Sequence, residues 1–130
     1  MAEHDEQAAV IDWAQLMSGQ IPELWLLYAI PNGAKLPYFK TRDKRGKEYR
    51  WSPEAKKLKE EGLRPGVPDL CLPVPRKEFH GLYIEMKDGD NKPTEAQTAY
   101  LDALAAQGYL AVVCWGAEDA VEVLTEYLSG

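Results

Sequence analysis

Two short apolar runs, Asp69 to Val74 (DLCLPV) and Gly81 to Lys87 (GLYIEMK), decide the predicted fold. Short apolar runs of this kind, bounded by Pro or Gly, are typical of buried strands. Because side chains alternate along a strand, Glu85 and Lys87 point to one face of the sheet and Met86 points to the other. The second strand therefore ends with an acidic and a basic side chain, Glu85 and Lys87, on the same face of the sheet.

If the two strands pair as neighbours, Asp69 lies close to Glu85, and Lys87 joins the same small site. Like charges held close together disfavour joint ionisation unless a cation lies between them. Magnesium suits such a place, since it takes one or two carboxylates, a carbonyl and several waters. The residues alone leave a second interpretation open: an Asp after Pro68 is often a strand cap, and a Glu-x-Lys is often an exposed ion pair worth about 0–1 kcal/mol.

Helices and strands alternate on both sides of this pair. The order predicts one α/β domain over residues 1–130, with a central mixed sheet flanked by helices. The other predicted elements are a helix from about Asp5 to Met17, a strand from Leu24 to Ile30, a helix opened by Ser52-Pro53-Glu54 and ended at Gly62, a helix opened by the capping box Thr94-Glu95-Ala96-Gln97, a strand from Tyr109 to Trp115 and a helix from Glu118 to Leu128.

Composition excludes several classes of protein. No apolar run approaches the roughly 18 residues that a membrane span needs, and the acidic start MAEHDEQ does not fit a secretory leader. Cys71 and Cys114 lie inside apolar runs, which predicts buried free thiols in a reducing compartment rather than disulfides. No Cys/His cluster supports zinc. We therefore expect a cytoplasmic protein without a membrane partner.

The charge is unevenly distributed along the chain. The net charge is −6, yet residues 35–64 carry eleven Lys or Arg against five Asp or Glu, a local charge of +6. Such a patch can neutralise phosphates, and it can equally be a solvated lysine-rich face. The interleaved aromatics Tyr38, Phe39, Tyr49 and Trp51 suit either base stacking or the packing of a hairpin around Gly46.

Glu6 is a further candidate on the first helix. It shares a face with Val10, Trp13 and Met17, the side that the helix is expected to bury. A carboxylate directed at a core needs a partner or a metal. The alternative is that an acid in the first turn simply favours the helix dipole.

In this order, Glu6, Pro31-Asn32-Gly33, Gly66-Val67-Pro68-Asp69, Glu85-Met86-Lys87 and Gln97 resemble the VRR-NUC family of the PD-(D/E)XK nuclease superfamily. The resemblance runs from Glu6 to about Leu128, as in the stand-alone members found in bacteriophages. It implies a restriction-endonuclease-like αβββαβ core for the fold.

The resemblance also implies roles for these residues. Asp69 and Glu85 would bind magnesium or manganese, with the Met86 carbonyl as a further ligand, and Lys87 would hold or help deprotonate the attacking water. Gln97 would lie beside the site, although its capping box also explains that residue. The implied catalytic residues are Glu6, Asp69, Glu85, Lys87 and Gln97.

The implied activity is metal-dependent hydrolysis of phosphodiester bonds, leaving a 5′-phosphate and a 3′-hydroxyl, with no small-molecule cofactor. His4 and His80 are isolated, which disfavours a covalent route. Stand-alone members look like Holliday junction resolvases that act as symmetric dimers, so we expect a homodimeric, structure-selective endodeoxyribonuclease. The alternatives are a less selective nickase or flap nuclease, a non-catalytic nucleic-acid-binding module and a metal-free interaction protein. The residues expected to contact DNA are Asn32, Lys35, Lys40, Arg42, Lys44, Arg45, Lys47 and Arg50.

Overall fold

The computed structural model of the chain describes residues 2–31 and 39–130. Within these residues the helices are α1 (Glu3–Met17), α2 (Pro53–Glu60), α3 (Glu95–Ala106) and α4 (Ala117–Leu128), with a 3₁₀ helix at Pro22–Leu26. The strands are β1 (Tyr28–Ala29), β2 (Phe39–Arg42), β3 (Glu48–Trp51), β4 (Leu70–Leu72), β5 (Leu82–Lys87) and β6 (Leu110–Trp115).

The chain divides into two compact units, residues 1–30 with 66–130 and residues 31–65. The larger unit contains a four-stranded mixed sheet in the order β1-β4-β5-β6. Strand β4 is antiparallel to β5, with Leu70 opposite Ile84, whereas β6 runs parallel to β5. As expected, the sheet is mixed and helices flank it.

The alternation along β5 separates the core from a polar face. Leu82, Ile84 and Met86 are buried in one apolar cluster with Val10 of α1 and Leu124 of α4. The intervening side chains, Glu85 among them, therefore point to the opposite face of the sheet. The predicted separation of Met86 from its two charged neighbours is confirmed.

Local capping signals begin two of the helices where the sequence predicts them. The Ser52 hydroxyl accepts a hydrogen bond from the Ala55 N–H at the start of α2. Thr94 and Gln97 form the predicted capping box of α3, in which each side chain accepts a bond from the other residue's backbone N–H. Each cap satisfies donors that the first helical turn would leave unpaired.

The predicted strand from Leu24 to Ile30 is wrong over most of its length. The chain instead forms the 3₁₀ helix, which begins at Pro22, and only Tyr28 and Ala29 pair with β4. Leu24 is buried, but Trp25 is 80% exposed. A short apolar run does not by itself distinguish a strand from a helical turn, and here the partner strand β4 is only three residues long.

The described part of the smaller unit contains the predicted hairpin. Strands β2 and β3 pair antiparallel, with Phe39 opposite Trp51, and the turn contains Gly46 at φ 83°. The Asp43 carboxylate accepts bonds of 2.9 Å from the N–H groups of Arg45 and Lys47, which shapes that turn. Among the described residues, we find no helix long and apolar enough to cross a bilayer. Both cysteines are free and buried, as expected.

Candidate active site

Asp69 lies immediately before β4, and two backbone contacts hold it there. Its carbonyl accepts a bond from the Ile30 N–H, and its Oδ2 accepts one from the Met86 N–H, each at 2.8 Å. The residue is only 3% exposed. The carboxylate is therefore fixed in the interior, beside the end of β5.

The loop that leads to Asp69 requires a glycine at position 66. Its φ is 84°, and a Cβ at this position would lie 2.4 Å from the carbonyl oxygen of Ala96 in the first turn of α3. Only glycine avoids both the strain and the collision. The loop before Asp69 thus packs directly against the helix turn that carries Gln97.

Glu85 and Lys87 stand on the polar face of β5, as the alternation predicts. The pairing of Leu70 with Ile84 brings Asp69 next to Glu85. Glu85 is 1% exposed, and the Lys87 Nζ lies 3.9 Å from its Oε2. The other oxygen, Oε1, is buried with no hydrogen-bond partner among the described residues. A buried carboxylate oxygen is costly to leave unsatisfied, so this atom is available to bind a cation.

The pKa of the Glu85 carboxyl is raised by its burial and by the neighbouring Asp69 carboxylate. Burial raises the pKa of the Glu85 carboxyl from 4.5 to about 8, and a hydrogen bond to Asp69 and its negative charge act in the same direction. The Lys87 ammonium opposes this pKa rise without cancelling it. The Glu85 carboxyl therefore holds its proton more tightly than a free glutamate, and a divalent cation bound there would compete with that proton.

Glu3, which the sequence reasoning did not select, completes an acidic cluster. One carboxylate oxygen from each of Glu3, Asp69 and Glu85 lies within 4.8 Å of the others. Three carboxylates converging in this way offer the hard oxygen donors that magnesium and manganese prefer. Glu3 lies one turn before Glu6 on α1, so the acidic start of that helix was the available signal.

Glu6 has a different partner. Its Oε2 accepts a hydrogen bond from the Ala117 N–H, at the beginning of α4. The cap residue there, Gly116, has no side chain to do this. A carboxylate at a helix N-terminus stabilises it. The role of Glu6 in the catalytic site stays a prediction, while the structure brings Glu3 to the other carboxylates.

Gln97 serves the helix and the site at once. Its Oε1 accepts the Thr94 N–H at 2.8 Å, and its Nε2 donates to the Glu85 Oε2 at 3.3 Å. The capping box therefore orients the amide so that its donor end faces the carboxylate. Met86 contributes its N–H to Asp69, and its carbonyl as a metal ligand stays a prediction.

Six of the eight residues predicted to contact DNA lie within the described residues. Asn32 and Lys35 lie outside the described residues, as does most of the predicted Pro31-Asn32-Gly33 turn. The other predicted contacts are exposed residues of the hairpin or its turn, namely Lys40, Arg42, Lys44, Arg45, Lys47 and Arg50. Glu48 pairs with two of them, at 3.5 Å from the Lys40 ammonium and 3.7 Å from the Arg42 guanidinium.

Comparison with known proteins identifies the family. A model of the VRR-NUC domain matches residues 2–118. The chain belongs to the VRR-NUC family. A solved structure described as a VRR_NUC domain protein is similar over 98% of this chain and 88% of its own, with 30% identity and a TM-score of 0.71. The comparison with curated proteins gives no match.

Membership in the VRR-NUC family implies a nuclease, a hydrolase that acts on DNA. The acidic cluster of Glu3, Asp69 and Glu85 is consistent with a metal-using VRR-NUC site. The resemblance stated from the sequence motifs is thereby confirmed.

Proposed function

We propose that this VRR-NUC protein is a divalent-metal-dependent endodeoxyribonuclease that cuts branched DNA. The observation that carries the proposal is the buried pair Asp69 and Glu85, with a basic residue, Lys87, on the same strand. Burying two acids against each other is unfavourable unless a proton or a cation compensates them. A bound cation would compensate the two negative charges and would place a metal at the proposed site of hydrolysis.

The donor set fits Mg²⁺ or Mn²⁺. Glu3, Asp69 and Glu85 offer carboxylate oxygens, and the unsatisfied Glu85 Oε1 supplies a buried acceptor without a donor. A metal held there would polarise the scissile phosphate and lower the pKa of a bound water. Among the described residues this cluster contains only carboxylates, without sulfur or imidazole ligands, which favours a hard metal over zinc.

The protein's own groups then orient the reaction. Lys87 supplies a fixed positive charge near the position where negative charge grows on the phosphoryl oxygens, and it is suited to hold the attacking water. Gln97 fixes one oxygen of Glu85 through its amide. The Met86 N–H fixes Asp69. Little reorganisation of Asp69 and Glu85 is needed, because each of these two carboxylates is already held by a hydrogen bond.

The basic hairpin, β2 and β3, favours a nuclease that recognises the structure of its DNA substrate rather than the base sequence. Exposed Lys and Arg side chains at Lys40, Arg42, Lys44 and Arg45 are suited to phosphate contacts. Such contacts position a nucleic acid but carry no sequence information. A homodimer with two-fold symmetry would present two sites to the two-fold symmetry of a four-way junction.

Cleavage of a labelled four-way junction, beside linear duplex, nicked and single-stranded DNA, tests this proposal. Each substrate is incubated with Mg²⁺, Mn²⁺ or EDTA. Asp69→Asn and Lys87→Ala remove a carboxylate and the ammonium of the proposed site. Asp102→Asn is the matched control, because Asp102 is an exposed acid on α3.

Paired symmetric cuts in the junction are expected, abolished by EDTA and by both site variants but retained in Asp102→Asn. Metal-dependent nicking of every substrate would support the alternative of a less selective nickase or flap nuclease. Binding without any cleavage would refute the enzyme proposal and favour a non-catalytic nucleic-acid-binding module.

A further inference from the structure

Trp115 is a large exposed aromatic side chain next to the acidic cluster, and none of the roles assigned above uses it. It ends β6, directly opposite Lys87 of β5 in a parallel register. Residues paired in this way project from the same face of a sheet, with the strands about 4.8 Å apart. Trp115 therefore stands on the polar face, beside Lys87, and its side chain is open to solvent.

Two hydrogen bonds hold Trp115 in this exposed position. Its backbone N–H donates to the Asp119 carboxylate at 2.9 Å, and its indole N–H donates to the Asn91 carbonyl at 2.7 Å. Asn91 belongs to the connection between β5 and α3, which follows Lys87. The indole is thus fixed by its polar edge, while the residue stays 46% exposed.

Trp115 is much more exposed than its neighbours Lys87 and Glu85, which is expected of a residue that contacts substrate. Lys87 is 7% exposed and Glu85 is 1% exposed, so a phosphate can approach them only from the solvent side of this face. Trp115 lies beside that approach with an apolar surface that the described residues leave partly uncovered. An aromatic ring fixed next to a phosphate site is the arrangement that stacks on a nucleobase.

We propose that Trp115 stacks on a nucleobase adjacent to the scissile phosphate. This inference rests on the proposed nuclease function and narrows its substrate class. A base in intact duplex is already stacked on both faces, so a free face requires an unpaired or displaced base. The preferred substrate therefore has an unstacked base next to the cut, as at a branch point or a strand end.

The rival explanation is structural: Trp115 only anchors the connection through Asn91. Trp115→Phe separates the two, because phenylalanine keeps an aromatic face and loses the indole N–H. Trp115→Ala removes both. Trp25→Ala is the matched control, since Trp25 is 80% exposed on the 3₁₀ helix.

Steady-state cleavage of a branched substrate gives the first readout. Trp115→Ala is expected to raise KM about 5- to 150-fold with a smaller change in kcat, which is the range for losing one stacked base. Trp115→Phe and Trp25→Ala are expected to stay within a few-fold of the wild type. Equal losses in the Phe and Ala variants, or an unchanged KM in Trp115→Ala, would overturn the inference.

A second measurement uses the wild-type protein and needs no cleavage. Branched DNA with 5-iodouracil next to the cut site is irradiated with the protein in EDTA, and the cross-linked peptide is identified by mass spectrometry. The expected cross-link is at Trp115, and exclusive cross-linking elsewhere would overturn the inference. Wild-type protein that cross-links but never cleaves with metal present would refute the proposed function and leave the stacking contact in place.

Discussion

The buried carboxyl of Glu85 should destabilise the metal-free protein as the pH rises. The pKa of Glu85 is raised by burial to about 8 from 4.5. Below the lower value both states are protonated. Between the two values the unfolded chain releases this proton and the folded chain keeps it, so folding becomes less favourable with each step in pH. In this range each pH unit lowers the free energy of unfolding by about 1.4 kcal/mol, and the loss levels off near the folded-state pKa. Raising the pH from about 5.5 to about 8 should therefore lower the free energy of unfolding by about 3 kcal/mol.

Glu85→Gln removes that titration and keeps the shape of the side chain. In EDTA, the unfolding free energies of variant and wild type are measured by urea unfolding followed by circular dichroism near pH 5.5 and near pH 8. Between these two pH values, the difference in unfolding free energy should move in favour of the variant by about 3 kcal/mol. Adding Mg²⁺ at the higher pH should stabilise the wild type and leave the variant unchanged, because only the wild type retains the full donor set.

The control for this experiment is Glu122→Gln, at an exposed acid of α4. Its unfolding free energy should follow the wild type at both pH values, which accounts for every other titrating group. Parallel pH dependence in wild type and Glu85→Gln would refute the reasoning, since Glu85 would then carry no folded-state pKa shift.

Three further predictions concern the hairpin, the capping box and the two acids of α1. Lys44→Gln should weaken binding to all DNA substrates alike and lower the slope of log K against log salt by about 1, as measured by fluorescence anisotropy. Gln97→Ala and Thr94→Ala each remove part of the shared cap and should each lower the stability measured by thermal unfolding by about 1 kcal/mol. Only Gln97→Ala also loses the bond to Glu85, so only this variant should reduce DNA cleavage markedly. Glu3→Gln should weaken Mn²⁺ binding in calorimetry, whereas Glu6→Gln should lower stability by about 0.3–1 kcal/mol and retain metal binding. The reverse result for these two acids would restore Glu6 to the site.

Much of the site was predictable because its signals are local. The alternation in β5 fixes which way Glu85 and Lys87 point, and the Thr94 to Gln97 spacing fixes the start of α3. The Pro68-Asp69 step marks the beginning of β4. Each of these depends on residues within a few positions of one another, so one sequence is enough.

The errors arise where tertiary packing decides between local options. The run from Leu24 to Ile30 is apolar enough for a strand, but its start at Pro22 and the short partner strand leave only two paired residues. Glu3 and Glu6 are both acids in the first turn of α1. The position of α1 against β5 and α4 decides which of them meets Asp69, and periodicity does not contain that information.

The position of Gln97 beside the site was implied only by the family resemblance. Its capping box already explained the residue, so the local pattern alone did not require a contact with Glu85. The close approach of Gly66 to Ala96 brings the loop before Asp69 to the same helix turn. That juxtaposition joins residues about 30 positions apart in the sequence and becomes visible only in three dimensions.

The proposed activity depends most directly on a divalent cation bound between Asp69 and Glu85. Crystals grown without metal and then soaked in Mn²⁺ would test it through the anomalous difference map. The predicted result is one strong peak about 2.0–2.3 Å from carboxylate oxygens of both residues, lost in Glu85→Gln. A map with no peak within reach of these two carboxylates, under conditions where the protein cleaves DNA, would contradict the proposed site.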